Sequence, residues 1–212
     1  MKQFDFYEFA GILAPGAITI FGASLIYPSI SLIAKASGAS FGDLGVFIIL
    51  SYAAGHLVQF IGNRLETLHW KIFKGMPTDW VISGRGNLIS PDQQRLLETR
   101  LQKLLGRNEP VELSKIAAAE WTPITRQIHA AIGAANRLER IERFNGNYGL
   151  CRGIAASLLV VAALLLWEKG PGSWRPVLFF GVLVAIALAR MHRFGCYYAR
   201  ELFVQFLNLP TS

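Results

Sequence analysis

Apolar residues gather into four runs separated by polar segments. They extend from about Phe9 to Ala34, from about Leu44 to Gly62, from about Leu150 to Trp167, and from about Trp174 to Ala189. At 1.5 Å per helical residue, the first two are long enough to cross a hydrocarbon core roughly 30 Å thick. The last two are short for a full crossing, so a shallow or re-entrant path is an alternative for each. Pro15-Gly16 and Pro28 predict bends in the first run. The expected fold class is an all-α membrane protein: four transmembrane helices with a helical cytoplasmic insert between spans 2 and 3. The corresponding divisions are a two-span unit over 1–62, a basic helical domain over 63–149, a second two-span unit over 150–190 and a tail over 191–212.

Between the second and third runs the pattern becomes that of amphipathic helices. Ser90-Pro91-Asp92 supplies a capping hydroxyl, a proline at the first helical position and an early acid, predicting a helix that ends at Leu105-Gly106. A second helix is expected from about Val111 to Trp121. A third is expected from Pro123 toward Phe144, burying Ile124, Ile128, Ala131, Ile132, Ala135 and Leu138. The glycines and asparagines of NGNYG (145–149) predict a break before the third span. VISGRGNLIS reads as a short strand or a turn, and SGRGN alone does not make a phosphate loop. The tail RMHRFGCYYARELFVQFL combines Arg190, Arg193 and Arg200 with five aromatic residues. It reads either as an interfacial amphipathic helix continuing the fourth span or as a core element of the middle domain.

Composition agrees with a membrane class: 52% of the 212 residues are hydrophobic. The net charge of +7 is concentrated. Thirteen Lys/Arg fall in 63–149, whereas 35–43 holds only Lys35 and 168–176 only Lys169 and Arg175. The positive-inside rule then places both termini and the middle segment in the cytoplasm of an inner-membrane protein, with Tyr27, Trp167 and Trp174 at the outer interface. The start MKQFDFYEF lacks a basic leader pattern and predicts an uncleaved anchor. Cys151 and Cys196 are expected to be reduced thiols. The four histidines and two cysteines are not in zinc-ligand spacing, and no cofactor is implied.

Two polar patterns carry candidate chemistry. On a helix, Tyr52, His56, Gln59, Asn63 and Glu66 occupy a strip about 80° wide within otherwise apolar surroundings. Polar groups at membrane depth must face protein or water. The strip is therefore either interhelical hydrogen bonding within one subunit or the lining of an aqueous path in a homo-oligomer. In the middle domain, Arg126, Arg137 and Arg140 fall within about 60° on the expected long helix. They form either a solvated face or a site for an anionic nucleotide or oligodeoxynucleotide, because guanidinium groups suit phosphate geometry. Arg64 and His69 match the Arg-x4-His pattern of HEPN-type ribonucleases, although five residues on one helix separate the two side chains by about 140°. No Ser-His-Asp set or catalytic carboxylate pair is evident, and the chain is expected not to be an enzyme.

Gly149-x3-Gly153-x3-Ser157 and Gly181-x3-Ala185-x3-Ala189 place small residues at one-turn spacing. Such stripes permit close helix contact, either within a subunit or between subunits. The span order, the polar GHLVQFIGN stripe and the basic middle together resemble the membrane effectors of bacterial anti-phage systems, the Hailong effectors in particular. CRISPR-associated membrane pores with degenerate Arg-x4-His pairs form a second similar group. The Hailong resemblance implies a four-span oligomeric channel held shut by an oligodeoxyadenylate from a partner nucleotidyltransferase, and hence DNA binding on the cytoplasmic arginines. The expected function is a ligand-gated ion-channel effector that depolarises the membrane. Its rivals are a membrane-tethered ribonuclease and a non-catalytic scaffold for a partner enzyme.

Overall fold

A computed structural model describes residues 9–27 and 41–210 of the chain. All regular structure among these residues is helical. A π-helical turn, Phe9–Leu13, leads into α1 (Ala14–Ile26); α2 follows over Phe41–Ile72. The short α3 (Pro77–Trp80), α4 (Pro91–Leu104), a 3-10 turn (Leu113–Lys115) and α5 (Ala118–Ala134) come next. The chain then continues through α6 (Glu139–Lys169), a 3-10 turn (Gly170–Ser173) and α7 (Trp174–Leu207). Two helical runs are long and apolar enough to cross a membrane: Gly42–Trp80, and Glu139–Leu207, which contains both α6 and α7. The first apolar helix is shorter, Gly11–Ile26. The expected continuation of that run to Ala34, including Pro28, lies outside the described residues.

The chain divides into two compact units, each assembled from separated segments. The first comprises 1–69 and 146–192, and the second 70–145 and 193–212.

In the first unit, α1 is held against α2 and α6 by backbone proximity that only small residues allow. A Cβ on Gly16 would overlap the Ser51 carbonyl and come 2.6 Å from the Gly55 nitrogen; one on Gly55 would overlap the Ile12 carbonyl. A Cβ on Gly153 would strike Pro15, and one on Gly22 would lie 2.5 Å from Val161. Pro15 stands just after the π-helical turn and has no N–H to donate, and the Gly11 carbonyl four residues before it accepts instead from the Gln59 amide. The Pro15 carbonyl accepts from Ser157 Oγ at 2.7 Å and Thr19 Oγ1 at 3.1 Å. The Gly149/Gly153/Ser157 stripe thus packs inside the chain, whereas Gly181, Ala185 and Ala189 are exposed. Elsewhere in this unit Ala155 packs with Val184 and Ala187, bordered by Leu65, Ile154, Leu158 and Leu188.

The second unit has an ordinary hydrophobic core. Leu97, Leu101, Ile128, Ile132, Ile141 and Phe203 are fully buried. Trp121 stacks on Phe203, with centroids 5.9 Å apart, and its indole nitrogen donates to the Thr78 carbonyl at 2.9 Å. The tail is therefore a core element here, as Leu202, Phe206 and Leu207 are buried too. Arg100 donates to the carbonyls of Phe206 and Leu209, and Arg137 to that of Asn208. Both guanidinium groups cap the carbonyl end of α7, where the helix dipole favours positive charge.

Several expected boundaries differ. The Ser90 cap of α4 is present, with Gln93 completing a reciprocal capping box. The helix expected over 111–121 is instead an extended segment with one 3-10 turn, and α5 begins at Ala118, with Pro123 inside it. The expected helix over 123–144 is broken at Asn136, whose φ of 56° is the left-handed conformation that ends helices and that Asn tolerates. NGNYG does not break the chain: α6 runs through it, with Gly146 and Gly149 buried. Close packing outweighs low helix propensity there. VISGRGNLIS forms turns, with Gly84, Gly86 and Asn87 at positive φ. The helix that carries the 44–62 apolar run continues to Ile72, and positive φ at Lys74 and Gly75 follows.

Truncating Phe203 to Ala removes the ring under Trp121 and should cost roughly 3–5 kcal/mol. Chemical denaturation of the full chain in detergent, read by tryptophan fluorescence, measures this; an unchanged midpoint would refute the packing role.

Candidate functional site

The buried edge of α2 is formed by Ser51, Gly55, Val58 and Gly62. On a helical projection these positions centre roughly 90° from the middle of the polar strip. The strip therefore straddles the border of the packed face, and its members divide. Gln59 and Glu66 lean inward, while Tyr52, His56 and Asn63 are exposed.

The inward pair meets α6. Arg152 donates to Glu66 Oε2 through one terminal nitrogen and to Gln59 Oε1, at 2.7 Å, through the other. Tyr148 OH donates to Glu66 Oε1 at 2.5 Å. Gln59 turns its amide nitrogen to the Gly11 carbonyl, beside the α1 crossing. Tyr148 and Arg152 are four residues apart and share one face of α6, as Gln59 and Glu66, seven apart, share one face of α2. The Arg152 and Glu66 side chains are only 12% and 18% exposed. A charge this buried needs its partner and its full set of hydrogen bonds, and the amide and phenol help supply them. Two of the five residues expected to line a path thus bind helix to helix within one chain.

On the exposed side, the Tyr52 and His56 rings meet edge to face at 4.8 Å. Leu57 and Phe60, 74% and 62% exposed, flank them. His56 and Asn63 therefore stand as polar positions on an outward surface that is otherwise largely hydrocarbon.

Arg64 and His69 are engaged separately. The Arg64 guanidinium lies over the Phe60 ring at 5.3 Å. His69 Nε2 faces His192 Nδ1 at 3.2 Å. Both histidines lie beyond the apolar segments 44–62 and 174–189. Burial pushes His69 below the ordinary histidine range, and the neighbouring His192 pushes it further in the same direction. Burial lowers His192 as well.

The three arginines of the second unit do not form one row, because the helix expected to carry them is two helices. Arg137 lies between α5 and α6 and caps α7. Arg140 pairs with the buried Glu201 at 3.4 Å and covers the Phe144 ring. Arg126 alone lines a cleft of about 520 Å³, together with Thr78, Asp79, Thr122, Thr125, His129 and Tyr198. Among the described residues, no cluster of three or more His, Cys, Asp or Glu side chains could hold a metal.

No family model, curated protein or solved structure matches the chain.

Arg152 and Tyr148 escaped the sequence reading. The signal was present: an arginine inside the apolar run LCRGIAAS requires a buried acidic partner, and Glu66 closed the polar strip. The register between α2 and α6, which joins them, is a tertiary fact.

Two outcomes are expected. Arg152→Leu leaves Glu66 buried without its cation and should destabilise the protein by roughly 3–5 kcal/mol. Arg152→Met combined with Glu66→Gln should recover most of that loss; equal instability of the single and double variants would show that the ion pair is not the cause. For the histidines, a folded-state pKa below the unfolded value means that the unfolded chain binds more protons as pH falls. Their contribution is complete above about pH 6.5 and is lost below it. Melting temperatures at pH 7.5 and 5.5 should differ more for the native chain than for His69→Gln/His192→Gln; identical pH dependence would refute this.

Proposed function

We propose that the protein is a multi-span membrane protein that assembles from identical copies and conducts ions along the exposed half of its polar strip. In this reading α2, α6 and α7 cross the bilayer, and the run beginning with α1 completes four spans. The second unit and both termini lie on the cytoplasmic side. Trp167 and Trp174, 86% and 58% exposed beside the 170–173 turn, sit at the opposite interface. The proposal includes a regulated effector role in anti-phage defence, in which opening collapses the membrane potential and a ligand at the second unit controls the path.

The observation that carries this reading is the division of the strip. Gln59 and Glu66 are satisfied within the chain, but Tyr52, His56 and Asn63 point outward, and around Tyr52 and His56 the exposed neighbours Ile49, Leu57 and Phe60 are apolar. Lipid offers such groups no hydrogen bonds. A ring of identical copies turns those edges toward one another and toward water. Gly181, Ala185 and Ala189, exposed among Leu178, Val182 and Ile186, offer a close-contact surface to the next copy. The expected oligodeoxynucleotide regulator loses part of its basis, since Arg137 and Arg140 hold intramolecular contacts.

Reconstitution into liposomes tests the path. The native chain should dissipate a potassium diffusion potential, and His56→Leu/Asn63→Leu should reduce the flux about tenfold, equivalent to roughly 1.4 kcal/mol of barrier. Native protein that assembles but carries no current, or a double variant that conducts equally, would refute the assignment.

A further inference from the structure

The cleft of the second unit has a charge arrangement that identifies a ligand class. One wall is α5, which contributes Thr122, Thr125, Arg126, His129 and Ala130. Among the described residues Arg126 makes no hydrogen bond or ion pair, unlike Arg100, Arg137, Arg140 and Arg143, which hold carbonyls or carboxylates. It therefore presents an unneutralised guanidinium beside the Thr122 and Thr125 hydroxyls, one of which, Thr125 Oγ1, is aligned by donating to the Thr122 carbonyl at 2.9 Å.

A second wall comes from Met76, Thr78 and Asp79. Asp79 Oδ2 accepts from the Met76 backbone nitrogen at 3.0 Å, which fixes the carboxylate at the start of α3. Asp79 and Arg126 line the same space without forming an ion pair with each other. A second acid nearby, Glu142, is already held by His129 at 3.1 Å. Tyr198 and Leu202 of α7 add an aromatic ring and an apolar surface.

A ligand carrying only negative charge would meet Asp79, and one carrying only positive charge would meet Arg126. A ligand with both satisfies both walls. We propose that this cleft binds a small zwitterion: an oxyanion held by Arg126 and the Thr122 hydroxyl, and a protonated primary amine held by Asp79 against the Tyr198 ring. Charge-assisted hydrogen bonds serve each end, and the ring face favours a cation. The cleft's roughly 520 Å³ has room for such a molecule with water around it. Phosphoethanolamine has this chemistry, free or as the headgroup of a phospholipid. The inference supplies the ligand class for the regulator in the conduction reading, but binding is measured without current, so either can fail alone.

The test is calorimetry on the purified full chain in non-ionic detergent, titrated with O-phosphoethanolamine, and separately with ethanolamine and with inorganic phosphate. O-phosphoethanolamine should bind at least about tenfold more tightly than either fragment. Arg126→Ala, at an exposed position, should weaken it about tenfold or more, and so should Thr122→Val/Asp79→Asn, with thermal unfolding confirming that each variant is folded. Competition by nanodiscs containing phosphatidylethanolamine, but not by phosphatidylcholine nanodiscs, would identify the lipid as the source; absence of competition would identify the free solute. Phosphate binding as tightly as O-phosphoethanolamine, undiminished binding to Arg126→Ala, or no binding of any probe would overturn the proposal.

Discussion

The ion pair between Arg152 and Glu66 is the constraint around which the first unit is organised. Both charges stand on helices whose surroundings are chiefly hydrocarbon, so neither is tolerable without the other. Their contact fixes which face α2 turns to α6 and at what register. The remaining polar groups follow from it. Tyr148 occupies the second oxygen of Glu66, Gln59 occupies the second nitrogen of Arg152, and the amide end of Gln59 reaches the backbone of the π turn before α1. A buried charge pair restricts the helices to fewer alignments than an apolar interface of the same area would. In this respect the pair confers specificity more than stability.

The glycines act on the same alignment from the other side. Gly16, Gly55 and Gly153 remove side-chain bulk where α1 meets its two neighbours, so carbonyls and Cα atoms approach directly. Such contacts rely on shape and dispersion. A bulky residue at Gly16 would separate α1 from α2 and draw Gln59 away from Gly11. The polar network and the close crossing therefore support each other across a short stretch of three helices.

Much of this was legible in the sequence, for identifiable reasons. The apolar runs announced the long helices, and Ser90-Pro91 announced the start of α4, because length, hydropathy and capping are local properties. The polar strip on α2 was visible from its period alone. Its division was not, since which edge is buried depends on where Gly55 and Gly62 find their neighbours. Asn136 ended a helix that its hydrophobic period would have continued; a single residue able to adopt positive φ outweighed the pattern. NGNYG did the reverse, remaining helical because Gly146 and Gly149 are small enough for a crowded interface. The arginine row dissolved for the first of these reasons, and only Arg126 retained an open guanidinium.

The second unit takes its core from two segments separated by most of α6 and the first half of α7. Trp121 stacks on Phe203, Leu97 and Ile128 from the first segment and Leu202 and Phe206 from the second are buried, and two arginines grip the carbonyls that end α7. During synthesis, residues 70–145 leave the ribosome long before Phe203 exists. The central segment must therefore wait, with its tryptophan and isoleucines unsatisfied, until Phe203 has been made. A stop anywhere before Phe203 would release a polypeptide lacking the piece that closes this core, so quality control can recognise such copies by exposed indole and aliphatic surface alone.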